Sequence, residues 1–175
     1  MSAAQHQDEH HDRLTQWVRE HGQAVRGFLL AMVRRHDVAD DLLQEVYRRA
    51  WQARGRYRES GAARAYLLRI ADRLVIDHRR KRGGPVNVDA AAWEQIGPAD
   101  CDADPSQRVD RDEAMQQLAG ALNQLSEPQR RVLLLRYYGD MSFAEIADTL
   151  AIRLNTVLSH GHRGLKAMRK LLAEA

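Results

Sequence analysis

Residues 142–165 read SFAEIADTLAIRLNTVLSHGHRGL, and this stretch indicates how the second half of the chain folds. Its apolar residues recur at spacings of three and four, first over a short segment and then over a longer one. The two segments meet in a tight connection at Ala151-Ile152-Arg153. Two helices joined in this way are typical of a helix-turn-helix, which places its second helix in the DNA major groove. A plain helical hairpin would show the same spacing.

The surrounding sequence predicts that this pair belongs to a helical module at residues 113–175. A helix is expected from about Glu113, and capping boxes follow at Ser126 and Ser142, each with a Gln or Glu three residues later that can reach back to the serine amide. Polar and basic side chains on the outer face of the last helix are candidates for DNA contacts: Thr156, Ser159, His160, Arg163 and Lys166.

A first module at residues 1–84 contains three further helical patterns. Apolar residues recur at helical spacing over 14–34, and again after Asp37, which can cap the second helix. A third pattern runs from Ala63 to the basic run that ends at Arg82. No segment alternates like a strand. We therefore predict an all-α protein whose first module is a bundle of three helices, or of four if a short extra helix forms.

The charged residues divide the chain into three parts. Residues 1–84 hold 17 Lys and Arg against 11 Asp and Glu, residues 85–112 hold 2 against 7, and residues 113–175 hold 8 against 6. The middle part lacks helical periodicity and contains Gly97-Pro98 and Asp104-Pro105, which interrupt helices. The pattern predicts two small helical domains joined by a flexible acidic linker.

Composition excludes several classes of protein. With 175 residues, of which 44% are apolar and 29% charged, the chain is too apolar to be disordered. Its longest apolar run, 28–33, is far shorter than the roughly 20 residues that span a bilayer, and the amino terminus is too charged for a signal peptide. Cys101 is the single cysteine and permits no internal disulfide. We expect a cytoplasmic protein without membrane insertion, metal or cofactor.

A basic stripe runs along one face of the third predicted helix through Arg69, Arg73 and Arg80. Like charges at this spacing repel unless an anion is bound, which favours a phosphate backbone, although a solvated cationic face is the commoner explanation. Tyr57 and Tyr66 lie nearby, and an exposed aromatic ring beside arginines could stack on unpaired bases. Either tyrosine could instead be a core residue.

Acidic and amide side chains share one side of the second helix: Asp40, Asp41, Gln44 and Glu45. This acidic patch could dock a basic partner. A simpler explanation pairs Glu45 with Arg48 or Arg49 on a solvated face. A metal site is a third option, but the further ligands that it would need are not spaced to complete it.

Three parts of the chain, taken together and in this order, resemble the extracytoplasmic-function (ECF) class of bacterial RNA polymerase sigma factors in the sigma-70 family. Residues 40–51 resemble its region 2 helix, which binds the coiled coil of the polymerase β′ subunit. Residues 125–138 and 142–147 resemble its region 4 module, which reads the promoter −35 element. Three short runs resemble its promoter −10 segment: 56–58, 65–71 and 77–80.

The resemblance implies partners for the candidate residues. It implies that the acidic patch binds core RNA polymerase at the β′ coiled coil and that the polymerase β flap is a further contact. It also implies an anti-sigma factor as a partner, and a protein that is monomeric when free. The residues implied for −10 DNA are Tyr57, Ser60, Arg69, Ile70, Ala71, Arg73 and Arg80. Those implied for −35 DNA are Thr156, Ser159, His160, His162, Arg163 and Lys166.

This chain departs from the family pattern at several of these positions. In the last helix two expected cations are replaced by Leu158 and His160, and the usual turn glycine is Ala151. Gly161 lies inside that helix, at a cost of about 1 kcal/mol relative to alanine. Arg73 stands where the family often has an asparagine that hydrogen-bonds a flipped base. We therefore expect an altered −10 preference and weaker, less salt-dependent DNA binding by the second domain.

The predicted function is that of a non-enzymatic sigma factor that binds core polymerase, recognises −10 and −35 elements and aids promoter melting. Two alternatives are compatible with parts of the sequence. One is a helix-turn-helix regulator that acts without polymerase. The other is an enzyme that uses the histidines, which is disfavoured because the sequence offers no nucleophile–base pairing and no glycine-rich phosphate loop.

Overall fold

The computed structural model describes residues 3–55, 62–82 and 105–174, and these ranges form seven α-helices without a β-strand. The all-α prediction is therefore confirmed. The helices are α1 (Ala3–Val33), α2 (His36–Gln52), α3 (Ala63–Arg82), α4 (Pro105–Gln124), α5 (Glu127–Tyr137), α6 (Phe143–Leu150) and α7 (Leu154–Ala173).

The first three helices pack against one another as the first module. The apolar residues that recur at helical spacing lie in its core, where Phe28 and Leu29 of α1, Val46 of α2, and Leu67 and Val75 of α3 are almost completely buried. Burying a side chain of this size contributes about 1.5–3 kcal/mol. The apolar periodicity thus accounts for the bundle.

The start of α2 differs from the prediction that Asp37 caps it. Arg35 occupies the cap position with an extended backbone and makes no side-chain cap hydrogen bond. Asp37 lies in the first turn, where its carboxylate accepts a 3.0 Å hydrogen bond from Arg35 Nε. The side chain binds the neighbouring guanidinium, and its charge lies where the helix dipole favours it.

The second module is built around α7, which packs against α4, α5 and α6. α4 begins at Pro105, earlier than the module boundary at 113 that the sequence suggests. Both capping boxes form. The Ser142 amide donates to Glu145 Oε2 at 2.8 Å and the Glu145 amide donates to Ser142 Oγ at 3.2 Å. At the start of α5 the Ser126 amide donates to Gln129 Oε1 at 3.3 Å.

Two glycines allow α7 to approach its neighbours closely. A Cβ atom on Gly161 would lie 3.0 Å from the Phe143 ring, and one on Gly164 would lie 3.1 Å from Leu133 Cδ1. Since few real Cβ contacts are this short, a larger side chain at either position would push the helices apart. The glycine that the sequence marks as a helix-weakening residue therefore lies at a close contact between α7 and α6.

The connection between α6 and α7 is a tight turn, as the helix-turn-helix pattern predicts. Ala151 ends α6 in the left-handed conformation, with φ 53° and ψ 42°, and the Ile152 amide donates to the Ala147 carbonyl at 3.1 Å. This conformation brings Cβ too close to the following carbonyl, which costs about 1–2 kcal/mol. The turn therefore forms with alanine, but under local strain.

The two modules also pack against each other, and their buried residues form one continuous core. Gly139, between α5 and α6, lies at the contact: a Cβ atom there would be 2.9 Å from Leu68 Cδ1 of α3. The neighbouring Met141 is 1% exposed. The same Cβ atom would clash with the Leu135 carbonyl oxygen of α5, so a side chain at position 139 would force this turn to change its backbone as well as displacing Leu68.

The strain at Ala151 generates a prediction. The substitution Ala151→Gly should stabilise the protein by about 0.5–1 kcal/mol, because the relief of the left-handed Cβ clash exceeds the entropy that glycine adds to the unfolded chain. Urea unfolding followed by circular dichroism measures the change. The matched control, Ala114→Gly at an exposed position of α4, should destabilise by up to about 1 kcal/mol. Destabilisation by both substitutions would contradict the argument.

Candidate functional site

The acidic patch on α2 is only partly available to a partner. Asp40 is half-buried, and its Oδ1 accepts a 2.7 Å hydrogen bond from Nε of Arg26 on α1. Asp41 and Gln44 are exposed. Of the four patch residues, one carboxylate and one amide are therefore fully exposed, while the Asp40 carboxylate also ties α2 to α1.

Glu45 is paired on its own helix. Arg48 Nε donates to Glu45 Oε2 at 2.5 Å, and Arg49 Nε donates to Oε1 at 2.8 Å. These hydrogen bonds, first from Arg48 and then from Arg49, lower the pKa of Glu45 to about 2. The pairing expected from the spacing is confirmed, and both arginines take part in it. The docking role of the patch stays a prediction.

The residues proposed for −10 DNA have different environments. Tyr57 and Ser60 lie outside the described residues. Arg73 and Arg80 are exposed on α3, whereas Ala71 is completely buried and presents no surface to a ligand in this arrangement.

The amino-terminal end of the basic stripe faces the second module. Arg69 Nε donates to Thr149 Oγ1 of α6 at 3.3 Å, and the next residue, Ile70, is half-buried. Tyr66 stacks edge-on against Trp17 of α1 at 5.9 Å between ring centroids, which favours the core interpretation of this tyrosine. The stripe is therefore exposed only over its carboxyl-terminal part.

Asp72 is a residue that sequence reasoning missed. It is 1% exposed, and both of its carboxylate oxygens accept hydrogen bonds from Arg131 of α5. The signal was present in the spacing, because position 72 lies four residues after Leu68 and three before Val75, on the buried face of α3. A charge within an apolar stripe indicates a buried partner.

The candidate −35 contacts lie along α7, the second helix of the helix-turn-helix. Five of them are exposed and His160 is half-buried. The exposed ones are Thr156, Ser159, His162, Arg163 and Lys166. Arg163 Nε donates to the Ser159 carbonyl at 3.2 Å, so the guanidinium of Arg163 folds back onto α7.

Two exposed leucines accompany these polar side chains. Leu154 and Leu158 are 44% and 41% exposed and lie one turn apart at the amino-terminal end of α7. In a helix-turn-helix this end of the second helix contacts base edges. The sequence marks Leu158 as a missing cation, but it gives no signal for Leu154.

The described residues contain neither a metal-binding cluster nor a membrane-spanning helix. Among them, no group of three or more His, Cys, Asp and Glu side chains is arranged to hold a metal ion. None of the helices in these ranges combines the length and apolar character needed to cross a membrane.

Comparison with known proteins assigns both modules. The model for Sigma-70 region 2 matches residues 17–84, and the model for Sigma-70, region 4 matches residues 115–168. These matches, with the helix-turn-helix of α6 and α7, define a bacterial sigma-70 family protein. The chain is 31% identical over 161 residues to the ECF RNA polymerase sigma factor SigK of Mycolicibacterium vanbaalenii, covering 86% of this chain and 77% of that protein.

A second relative supports the same assignment. The RNA polymerase sigma factor CarQ of Myxococcus xanthus is 32% identical over 157 residues, covering 88% of this chain and 86% of CarQ. The chain therefore belongs to the ECF RNA polymerase sigma factors, whose role is to direct the polymerase to promoters. Sigma factors are transcription initiation factors rather than enzymes, and these comparisons do not favour a regulator that acts without polymerase.

Solved structures confirm the fold. The sigma factor RpoE from Bartonella quintana, crystallised with the anti-sigma factor NepR, is similar with a TM-score of 0.71 and 23% identity over 91% of this chain and 96% of that one. CnrH, in complex with the cytosolic domain of CnrY, is similar with a TM-score of 0.61 and 22% identity over 92% of this chain and 88% of that one.

The pairing of Glu45 generates a prediction about its titration. Since its folded pKa lies below the ordinary 4.5, its pairs contribute stability that is present above about pH 4.5 and is lost as the pH falls through about 2. Replacing both partners, Arg48→Ala with Arg49→Ala, should return the pKa of Glu45 to near the ordinary value of 4.5. Carboxyl chemical shifts in an NMR pH titration measure it.

The control for this titration is Arg54→Ala. Arg54 follows α2, donates to the Trp51 carbonyl at 3.0 Å and makes no described contact with Glu45, so the pKa of Glu45 should stay near 2 in that variant. A pKa that stays low after both Arg48 and Arg49 are removed would show that another group holds the carboxylate ionised.

Proposed function

We propose that this sigma factor binds core RNA polymerase through the acidic patch of α2, −10 DNA through the exposed part of α3, and −35 DNA through α7. The observation that carries the proposal is the presence of three surfaces of different character on three helices. The surface of α2 is acidic, that of α3 is cationic, and that of α7 alternates polar, cationic and apolar side chains. A polymerase-bound protein that reads two DNA elements needs three separate surfaces.

The polymerase contact depends on which carboxylates of the acidic patch remain available to a partner. The oxygens of Glu45 are already engaged by two guanidinium groups, and those of Asp40 by Arg26. Asp41 is exposed and has no ion-pair partner among the described residues. A basic partner therefore gains most from Asp41, with Gln44 one turn away as a hydrogen-bonding neighbour.

The −10 contact is argued from the chemistry of Arg73. A guanidinium donates five N–H groups and accepts none, whereas the asparagine frequent at this position in the family both donates and accepts. Arg73 is exposed on α3 and can face DNA without moving the core. Among base edges it should favour those rich in acceptors, such as guanine with O6 and N7.

The −35 contact is argued from the mixture of side chains on α7. Thr156 and Ser159 can hydrogen-bond base edges or phosphates, and Lys166 lies further along the exposed face, where it can meet the backbone. Leu158 can pack against a thymine methyl group, a contact that carries no charge and is insensitive to salt. Specificity in the second module then depends on shape and apolar contact more than on ion pairs.

The relatives extend the proposal to regulation. RpoE of Bartonella quintana is held by an anti-sigma factor, and we propose that a protein of that class also binds this chain. The same proposal places the protein in the cytoplasm, where polymerase and promoter DNA meet, as a monomer when free, without a cofactor and without catalysis of its own.

Run-off transcription with purified core polymerase tests the proposal. The wild-type protein should direct transcripts from a subset of a genomic promoter library, and the absence of any promoter-dependent transcript would overturn it. Asp41→Arg should weaken core binding about tenfold or more, because it sets a like charge against a basic partner. Asp12→Arg, an exposed reversal on α1 outside the region 2 match, should leave binding unchanged.

The apolar character of α7 yields a separate prediction. Leu158→Lys adds a cation at the DNA-facing end, so it should tighten binding of a −35 duplex by holoenzyme at low salt. The slope of log K against log [salt] should become steeper by about 0.9, the value for one added phosphate contact. Fluorescence anisotropy across a salt series measures this slope. Leu172→Lys, at the far end of the helix, should leave it unchanged. Equal slopes for Leu158→Lys and wild type would remove α7 from the interface.

A further inference from the structure

Arg130 of α5 is a buried cation whose hydrogen bonds are incomplete. The residue is 5% exposed, and its Nε and Nη1 atoms are buried without a hydrogen-bond partner among the described residues. A guanidinium in this environment has lost its hydration without replacement, which is unfavourable. Arg130 is also the fourth residue of α5, near the positive end of the helix dipole, where a cation is disfavoured. Its charge therefore lacks the compensation that a buried guanidinium needs.

Two further guanidinium groups, those of Arg34 and Arg79, lie close enough to act on Arg130. Burial, followed by the charges of Arg34 and Arg79, lowers the pKa of Arg130 to about 10, and the charge of Glu127 opposes this shift. Arg130 is therefore still charged at neutral pH. Burial and then the charge of Arg79 also lower the pKa of Arg34. Three mutually repelling cations thus share the carboxylate of Glu127, which forms an ion pair with Arg79.

Backbone carbonyls hold two of these guanidinium groups in position. Arg79 Nη2 donates to the Met32 carbonyl in the last turn of α1 at 2.7 Å. Arg34 Nη2 donates to the Asn123 carbonyl in the last turn of α4 at 3.1 Å. The Nε atom of Arg34 is buried without a hydrogen-bond partner among the described residues, as are Nε and Nη1 of Arg130. Positioned N–H donors from two parts of the chain thus remain unsatisfied.

An oxyanion fits this set of groups better than a neutral partner does. A water molecule brings no charge, so it would leave the three cations uncompensated. The amide oxygen of Asn123 is also buried without a partner among the described residues, but a neutral amide likewise leaves the charge in place. A phosphate-class anion offers several acceptor oxygens, matches the fork of a guanidinium and supplies the missing negative charge.

We propose that Arg34, Arg79 and Arg130 form a binding site for a small oxyanion of the phosphate class, where α5 begins against the ends of α1 and α3. The side chains of Arg79 and Glu127 are 24% and 48% exposed, so the cluster is open to solvent on their side. The bound anion replaces the Glu127 carboxylate beside Arg79 and completes the hydrogen bonds of Arg130. The site shares no residue with the acidic patch or with the candidate DNA contacts, so it does not depend on the proposed function.

Inorganic phosphate is the probe for this site, added to the whole chain without polymerase or DNA. Isothermal titration calorimetry at constant ionic strength should show one saturable site in the wild-type protein. The equilibrium constant of unfolding, measured in urea, should fall about tenfold when free phosphate is roughly ten times its dissociation constant. Phosphate also stabilises proteins generally, because it is excluded from their surface, so the response that supports the site is a saturable one.

Three substitutions separate the site from this general effect. Arg130→Met removes the buried guanidinium but keeps an apolar side chain in its place, and it should abolish saturable phosphate binding. Glu127→Gln removes the competing carboxylate and should tighten phosphate binding several-fold, a gain that damage to the fold would not produce. The matched control, Arg169→Met at an exposed position of α7, should leave the phosphate affinity at the wild-type value.

Helix content measured by circular dichroism shows whether each variant folds. Arg34→Gln provides a second loss-of-charge variant at a half-buried position, and it should weaken phosphate binding even if Arg130→Met does not fold.

A second titration, with ATP, decides the source of the phosphate group. Binding of inorganic phosphate that the loss-of-charge variants weaken or abolish supports the site and assigns it to the free anion. Binding of ATP alone, with the same dependence on Arg130 and Arg34, supports the site and assigns it to a nucleotide phosphate. The proposal is overturned if the wild-type chain binds neither, if a folded Arg130→Met variant responds to phosphate as the wild type does, or if Glu127→Gln does not tighten binding.

Discussion

The charge of Asp72 constrains the rest of the structure. A carboxylate that is 1% exposed loses nearly all its hydration, a cost of several kcal/mol unless another charge replaces the water. That charge comes from Arg131, which lies in the other half of the chain. The Asp72 carboxylate therefore depends on α5 packing against α3, because that packing brings the Arg131 guanidinium to both of its oxygens.

How far the sequence predicts this structure depends on what periodicity can report. The spacing of apolar residues identifies which positions are buried, so it predicts the helices, the capping boxes and the tight turn between α6 and α7. It does not identify what covers a buried position. Asp72 therefore stands out in the sequence only as a charged residue at a position where the spacing predicts an apolar one. Ala71, assigned to DNA by resemblance, is completely buried. The missing information is the partner, and it lies 59 residues away.

Short-range competition explains the other differences. Asp37 has the residue type of a helix cap, but its carboxylate is bound by the guanidinium of Arg35, two residues away. Glu45 belongs to the acidic patch by residue type, yet Arg48 and Arg49 hold its oxygens. In an arginine-rich chain a carboxylate near a guanidinium is partly neutralised. The number of acidic residues in a patch therefore overestimates the charge that a partner meets.

The composition of α7 affects how much each module contributes to promoter affinity in the proposed function. An interface with few cations releases few counterions, so it contributes little sequence-independent affinity. Leu154 and Leu158 can favour particular base steps, but they cannot hold the module on DNA by charge. In the proposed function, the second module is therefore brought to its element by the polymerase and by the more basic first module.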